Sequence, residues 1–180
     1  LALLQRASDA LVHTLGVGLA GSLEPVGKIA LQWSQELGAK PKATIWGTGL
    51  ATSPAEAAFA NGIYAHALDF DDSMPTLRGH PSAPLFAAAL AVGEVTGAAG
   101  AAVLAAYVLG VEIAGKLGRA MGTGHYMRGW HATSTVGTFT TTAVAARLWG
   151  LDAAALQSAW GVAASQVGGL VRNFGSMTKP

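Results

Sequence analysis

Two stretches hold most of the reactive side chains: His66-Ala-Leu-Asp69-Phe-Asp71-Asp72-Ser73, closing at His80-Pro81, and Gly129-Trp130-His131-Ala-Thr133. Only 12% of the residues are charged, yet three of the ten acidic residues fall between Asp69 and Asp72. Every histidine except His13 lies between His66 and His131. Carboxylates and imidazoles crowded into an apolar chain are costly unless a task or a partner keeps them, which points to an active site. The chemistry such groups offer is proton transfer beside an anionic substrate. His80 and His131 each sit just before a helix start, where backbone N–H groups and the nearby Arg78 and Arg128 favour a carboxylate while the imidazole handles the proton. Lys179, on the Gly-rich segment Gly175–Pro180, is a further cation for a carboxylate or a carbanionic intermediate.

The same residues have plainer readings. Asp69–Asp72 reads also as an acidic helix end facing water, His80 as a backbone-bonded cap, and Lys179 as a solvated end-of-chain charge. Trp130 reads as a core anchor, and Thr133 or Ser134 as simple helix caps. His13, on the apolar first helix, reads as a hydrogen-bonded core residue.

The elements that must position these groups are helical. Alanine is abundant, glycine numbers 24 and β-branched runs are short, which favours an all-α, bundle-like domain of closely packed helices. Ser53-Pro54-Ala55-Glu56 supplies an N-cap, a proline at the first helical position and a glutamate at the third, predicting a helix from Pro54 to about Leu68. On that helix Asn61, Ala65 and Asp69 stack at spacings of four, and His66 neighbours Asp69 at three. Other helices are expected at Ala2–Ala20, Pro25–Leu37, Ala83–Thr96, Ala99–Met121, Ser134–Trp149 and Asp152–Leu170, stopped by Gly38, Gly97, Gly122 and Gly150. Asp152 reads as an N-cap. Ala43-Thr-Ile-Trp46 is strand-like but too isolated to define a sheet. The glycines of Gly110–Gly115 predict close approach of a neighbouring helix.

Composition narrows the function classes. At 180 residues and 51% hydrophobic, the chain can bury a sizeable core. Net charge is +1 and the basic residues form no run, which argues against nucleic acid as a partner. The uncharged stretches Val95–Val111 and Ala153–Val171 are poor membrane spans, being rich in Ala and Gly and lacking basic flanks, so no membrane partner is expected. The N-terminal Leu1-Ala-Leu-Leu-Gln-Arg6 lacks the order of a secretory signal. The absence of cysteine rules out disulfides and thiolate chemistry and fits a cytoplasmic protein.

Taken in order, Asn61-Gly, His66-Ala-Leu-Asp69-Phe-Asp71-Asp72, His80-Pro-Ser, Arg128-Gly-Trp-His131-Ala-Thr and Lys179-Pro180 resemble the MmgE/PrpD family. That family includes 2-methylcitrate dehydratases, cis-aconitate decarboxylases and iminodisuccinate epimerases. The resemblance also covers Leu15–Gly21, Trp46–Gly49 and Gly150–Asp152, and so almost the whole chain. It implies a helical domain over 1–180, a smaller lid domain later in the chain and absent here, homodimerisation, and cofactor-free lyase chemistry on a small di- or tricarboxylic acid. Dehydration of the 2-methylcitrate type leads, with decarboxylation and epimerisation as other fates of one anionic intermediate. It implies catalytic roles for Asp69, His80, His131 and Lys179. Substrate contacts are expected from Ser73, Arg78, Arg128 and Thr133, with Ser73 standing where the family often has Thr and His13 where it often has Asp. Without a lid, the 180-residue chain alone is expected to be inactive. Two rival readings stand beside this one: a divalent-metal enzyme using Asp69, Asp71, Asp72 and His80, against which the missing second acidic cluster argues, and a noncatalytic helical dimerisation module.

Overall fold

The computed structural model describes residues 2–180. Among them seven α-helices carry the fold: α1 (Ala2–Gly21), α2 (Pro25–Leu37), α3 (Pro54–His66), α4 (Ser82–Thr96), α5 (Gly100–Met127), α6 (Ala132–Trp149) and α7 (Ala153–Ala164). The helix starts follow the expected caps. Glu56 N–H donates to Ser53 Oγ (3.3 Å) and Ala155 N–H to Asp152 Oδ1 (2.8 Å), each meeting one of the orphan donors of a first turn. Gly38, Gly97 and Gly150 end α2, α4 and α6 in the left-handed conformation, as their positions in the sequence predict.

Helix α4 is the hub, packing against α1, α3, α5 and α6. Its apolar residues run all the way round, which suits a helix with no face left for water. Leu85 and Phe86 of α4 are fully buried, together with Val144 of α6, and the Phe86 ring stacks on Tyr107 of α5 at 3.9 Å between centroids. Gly110 permits this closeness. A Cβ there would sit 2.6 Å from Leu85 Cδ2 and 2.7 Å from Val144 Cγ2, so the expected close approach of neighbouring helices is found at this glycine.

Three expectations are corrected. The segment at Ala43 is not isolated: β1 (Ala43–Ile45) pairs antiparallel with β2 (Leu50–Thr52) in a hairpin. Asn61 of α3 pins it, accepting from Trp46 N–H and donating to Thr44 C=O, both at 2.9 Å. Helix α5 does break at Gly122, where its stop is expected (φ 60°, ψ −158°), but helix resumes beyond the glycine and runs on to Met127. Helix α7 ends at Ala164 rather than Leu170, because the segment after it leaves the helix and pairs, through Gly169 and Val171, with His131 and Gly129. Among the described residues α5 is the one helix long and apolar enough to cross a membrane; in the fold it packs on α1, α4 and α6.

Candidate functional site

The site forms where three chain segments meet: the C-terminal end of α3 with its following loop, the N-terminal end of α6, and the tail after α7. Helix α3 ends at His66, and Asp69 then adopts φ 58°. Aspartate tolerates this left-handed region better than most residues, and the turn folds the acidic loop back beneath the helix. Asp72 uses both carboxylate oxygens on the start of α4, accepting from Ser82 N–H (3.0 Å) and Ser82 Oγ–H (2.7 Å). That anchor fixes the loop between Ser73 and His80 at both ends.

His80 is held from the other side. Its N–H donates to Thr133 Oγ1 at 2.9 Å, across 53 residues. Gly79 must be glycine-sized here, since a Cβ would lie 2.8 Å from Thr133 Oγ1 and 2.9 Å from its backbone nitrogen. Neither Thr133 nor Ser134 caps α6; His131 is its N-cap residue and makes no side-chain capping bond.

The tail is stitched onto the loop before α6. His131 N–H donates to Gly169 C=O (3.1 Å) and Val171 N–H to Gly129 C=O (2.9 Å), forming a bridge between Trp130 and Leu170. Trp130 is therefore a partly exposed bridging residue rather than a core anchor. Beyond the bridge the tail turns back, the Lys179 ammonium sits 5.3 Å over the Phe174 ring, and it donates to Asp69 Oδ1. Phe174 also meets the His131 ring edge-on at 4.8 Å.

The result is a compact polar cluster. His66 Nδ1 donates to Asp71 Oδ2 at 2.7 Å. His80 lies between two carboxylates, Nε2 3.6 Å from Asp69 Oδ1 and Nδ1 3.5 Å from Asp71 Oδ1. The His66 ring is 4.9 Å from that of His80 and stacks on that of His131 at 5.9 Å. A cavity of about 480 Å³ opens beside it, lined by His66, His131, Thr133, Asn173 and Lys179 among others. That is the size of a small-molecule site, roughly 300–1,000 Å³. A second recess of about 320 Å³ shares His66 and Lys179 and adds Asp69.

The electrostatics follow from burial. Desolvation, reinforced by the neighbouring His66, Lys179 and His80, pushes the His131 imidazole down to about 4, against a small opposing pull from Asp69. His131 is thus neutral at pH 7. The hydrogen bond from Lys179 holds the Asp69 carboxyl below its usual range, helped by the charges of Lys179, His80 and His66 and opposed by desolvation. Asp69 is therefore an ionised partner of Lys179.

Of the residues singled out in the sequence, Asp69, His80, His131 and Lys179 converge, and Thr133 lines the cavity. Ser73, Arg78 and Arg128 are exposed and line neither space beside the cluster; Arg78 instead edges a small recess with His125 and Tyr126. His13 is exposed rather than core, with Nε2 3.0 Å from Phe70 C=O. His125 is structural, bonded through Nε2 to Thr135 Oγ1 at 2.7 Å. His66, Asp71 and Phe174 are the additions. The i to i+5 spacing of His66 and Asp71 around a helix end was the available signal for the first two, and nothing in the sequence marked Phe174. For a cation, His66, Asp69, Asp71 and His80 each bring one ligand atom within 4.8 Å of the others. Asp72 is spent on capping α4 and leaves that set.

Residues 1–180 match the MmgE/PrpD N-terminal domain. The chain is 31% identical, over 98% of its length, to a cis-aconitate decarboxylase of Homo sapiens and 28% identical, over 99%, to that of Mus musculus. It is 30% identical over 93% of its length to a cis-aconitate decarboxylase-like protein, oryM, of Aspergillus oryzae. It spans 38%, 38% and 36% of the length of these relatives. Domain match, predominantly helical fold and clustered motif residues agree: the chain belongs to the MmgE/PrpD family.

Proposed function

We propose that the protein is a lyase acting on a small di- or tricarboxylic acid, working with side chains alone, and that these residues form the proton-handling, charge-neutralising side of its site. The observation that carries this reading is the meeting of Lys179, Asp69, His66, His80 and His131 in one cluster, of which His66, His131 and Lys179 line a cavity of substrate size. A carbanion beside a carboxylate is expensive in water, and a fixed ammonium and imidazole N–H groups in a partly dry site lower that cost. Asp69 keeps Lys179 oriented toward the cavity while its own basicity is reduced.

Decarboxylation is the reaction favoured by the relatives' names. The bond from carbon to the leaving carboxylate breaks, its electron pair stays on carbon next to a second carboxylate facing Lys179, and a proton then returns to carbon. His131 is the group placed to return it, since an anionic substrate opposes the burial that keeps this imidazole neutral. Dehydration of a 2-methylcitrate-type substrate is the second reading, favoured by that same neutrality: a neutral imidazole beside the substrate can take the proton from carbon before hydroxide departs. A cytoplasmic homodimer is the setting this proposal expects, checked by light scattering of the full-length protein.

The test is to supply the full-length protein with cis-aconitate and with 2-methylcitrate, following carbon dioxide release and alkene formation. Turnover of either, lost on the order of 10²-fold or more in His131→Ala, supports the lyase. Folded protein inert toward both acids, or His131→Ala with unchanged turnover, overturns it.

A further inference from the structure

Asp71 has the least exposed carboxylate of the cluster, with a fully buried side chain, and the lyase steps above make no use of it. Its Oδ2 accepts from His66 Nδ1 at 2.7 Å, and its Oδ1 faces His80 Nδ1 at 3.5 Å. Asp71 Oδ1 and His80 Nδ1 are both buried with no other hydrogen-bond partner. A buried carboxylate oxygen left unpaired is costly, so this carboxylate belongs to both imidazoles rather than to one. On the far side of the His66 ring, Nε2 is likewise buried and unpartnered, on a residue that lines the cavity. An unmet polar atom at a cavity wall needs a partner that the protein itself does not provide.

We propose that Asp71 is a positioning residue that fixes the tautomer of His66, and that His66 Nε2 is a further substrate-touching atom, accepting a hydrogen bond from a hydroxyl or un-ionised carboxyl group of the substrate. The step from geometry to role is short. A carboxylate at 2.7 Å requires a proton on Nδ1, so the ring in its neutral form presents the Nε2 lone pair on the side of the cavity. His131 Nε2 is also buried and unpartnered, so two imidazole nitrogens await a ligand beside the Lys179 ammonium. An acid carrying both a negative carboxylate and a hydroxyl, or one proton-bearing carboxyl group, meets that set; a simple monocarboxylate does not. The inference rests on the reading of this cavity as a carboxylic-acid site.

Two variants of the full-length protein separate the roles. In Asp71→Asn the amide nitrogen donates to His66 Nδ1 and forces the proton onto Nε2. The ¹⁵N shifts of the His66 ring in the ligand-free protein should exchange their Nδ1–H pattern for an Nε2–H pattern. Turnover should fall on the order of 10²–10⁴-fold, the range known when the carboxylate behind a catalytic imidazole becomes an amide. In His66→Asn the amide still donates to Asp71, so the buried pair is kept while the Nε2 acceptor is lost. Its melting temperature should stay near that of the parent while kcat falls more than about tenfold. An unchanged His66 tautomer in Asp71→Asn, or kcat within about threefold of the parent in His66→Asn, overturns the proposal. Should the parent turn over no carboxylic acid at all, the lyase reading fails, and the ¹⁵N pattern still decides the role of Asp71.

Discussion

Lys179 Nζ donates to Asp69 Oδ1 although the two residues are 110 positions apart, joining the end of the tail to the loop after α3. The partners differ in exposure: the Lys179 side chain is 9% accessible and that of Asp69 is 62%. The aspartate can therefore shed its partner into water more easily than the lysine can, and an incoming anion can take over the ammonium.

Removing Lys179 should return the Asp69 carboxyl toward its usual range. Because the folded-state value is depressed, the stabilisation is present at neutral pH and is lost as pH falls through the depressed folded value. Lys179→Met should move the Asp69 carboxyl resonance titration upward and lower stability at pH 7 only modestly, because the Asp69 carboxylate is largely in solvent. A ¹³C titration that does not move would show that Lys179 is not what holds it down.

His131 makes the opposite end of the site sensitive to acid. Its folded-state value, about 4, lies below the 6.5 of the free imidazole, so the unfolded chain binds a proton that the folded one refuses. Stability should be full above about pH 6.5 and decline toward pH 4, by about 3 kcal/mol for this one group. Urea unfolding across that window should show the parent losing stability more steeply than His131→Gln. Parallel curves would place the burial cost elsewhere.

How much of this was legible in the sequence depends on the range of the interaction. Helix starts at Ser53 and Asp152 and stops at Gly38, Gly97 and Gly150 are written within a few residues, and they stand where the pattern put them. The β1–β2 hairpin is not legible locally because helix residues distant in sequence hold it: Asn61 bonds Trp46 N–H and Thr44 C=O, and Glu94 accepts from the Thr44 N–H and hydroxyl. The end of α7 is not legible locally because the segment after it trades helical bonds for pairing with the loop before α6, Gly169 with His131 and Val171 with Gly129. In the site, the grouping of Asp69, His80, His131 and Lys179 was implied by the resemblance to the MmgE/PrpD family, whereas Arg78 and Arg128 sit near in sequence but turn outward. Asp71 and Asp72 are adjacent and of one type, yet one serves His66 and the other Ser82, a division set by tertiary geometry.

Thr133, expected to touch substrate, has a positioning task that can be isolated. Its hydroxyl oxygen accepts from His80 N–H at 2.9 Å, so replacing it with valine strands a partly buried donor. Thr133→Val should cost about 1–3 kcal/mol, while Thr133→Ser keeps the acceptor and should stay near the parent. Turnover of the full-length valine variant should fall as His80 loses its anchor. Equal stability of the two variants in denaturant melts would remove this hydrogen bond from consideration.

The cation reading makes a different prediction. His66, Asp69, Asp71 and His80 lie close enough to share an ion, but Lys179 already bonds Asp69, and Asp71 already accepts from His66. Magnesium, which favours oxygen ligands and binds imidazole poorly, should not bind stoichiometrically, and zinc should bind weakly and inhibit rather than activate. Calorimetry that found tight one-to-one binding, abolished by Asp69→Asn and accompanied by activation, would revive a metal-dependent mechanism.

Gly118 tests whether the loop bearing His80 depends on the surface of α5. A Cβ at this position would lie 2.3 Å from Thr76 C=O and 2.7 Å from Leu77 Cα, both backbone atoms that cannot rotate away. Gly118→Ala should therefore push the 74–79 loop outward despite the better helix propensity of alanine, for a net loss of about 1–3 kcal/mol. Gly124, on the same helix, has nothing within 4 Å of its added Cβ, so Gly124→Ala should be neutral or gain about 0.5–1 kcal/mol. Thermal melts of the two variants give the contrast directly. Because Leu77 is buried against α5 and α6 while His80 follows three residues later, the Gly118 variant should also weaken carboxylic-acid binding, and the Gly124 variant should not. Equal melting temperatures would mean that the loop adjusts freely, and that His80 owes its place to Asp72 and Thr133 alone.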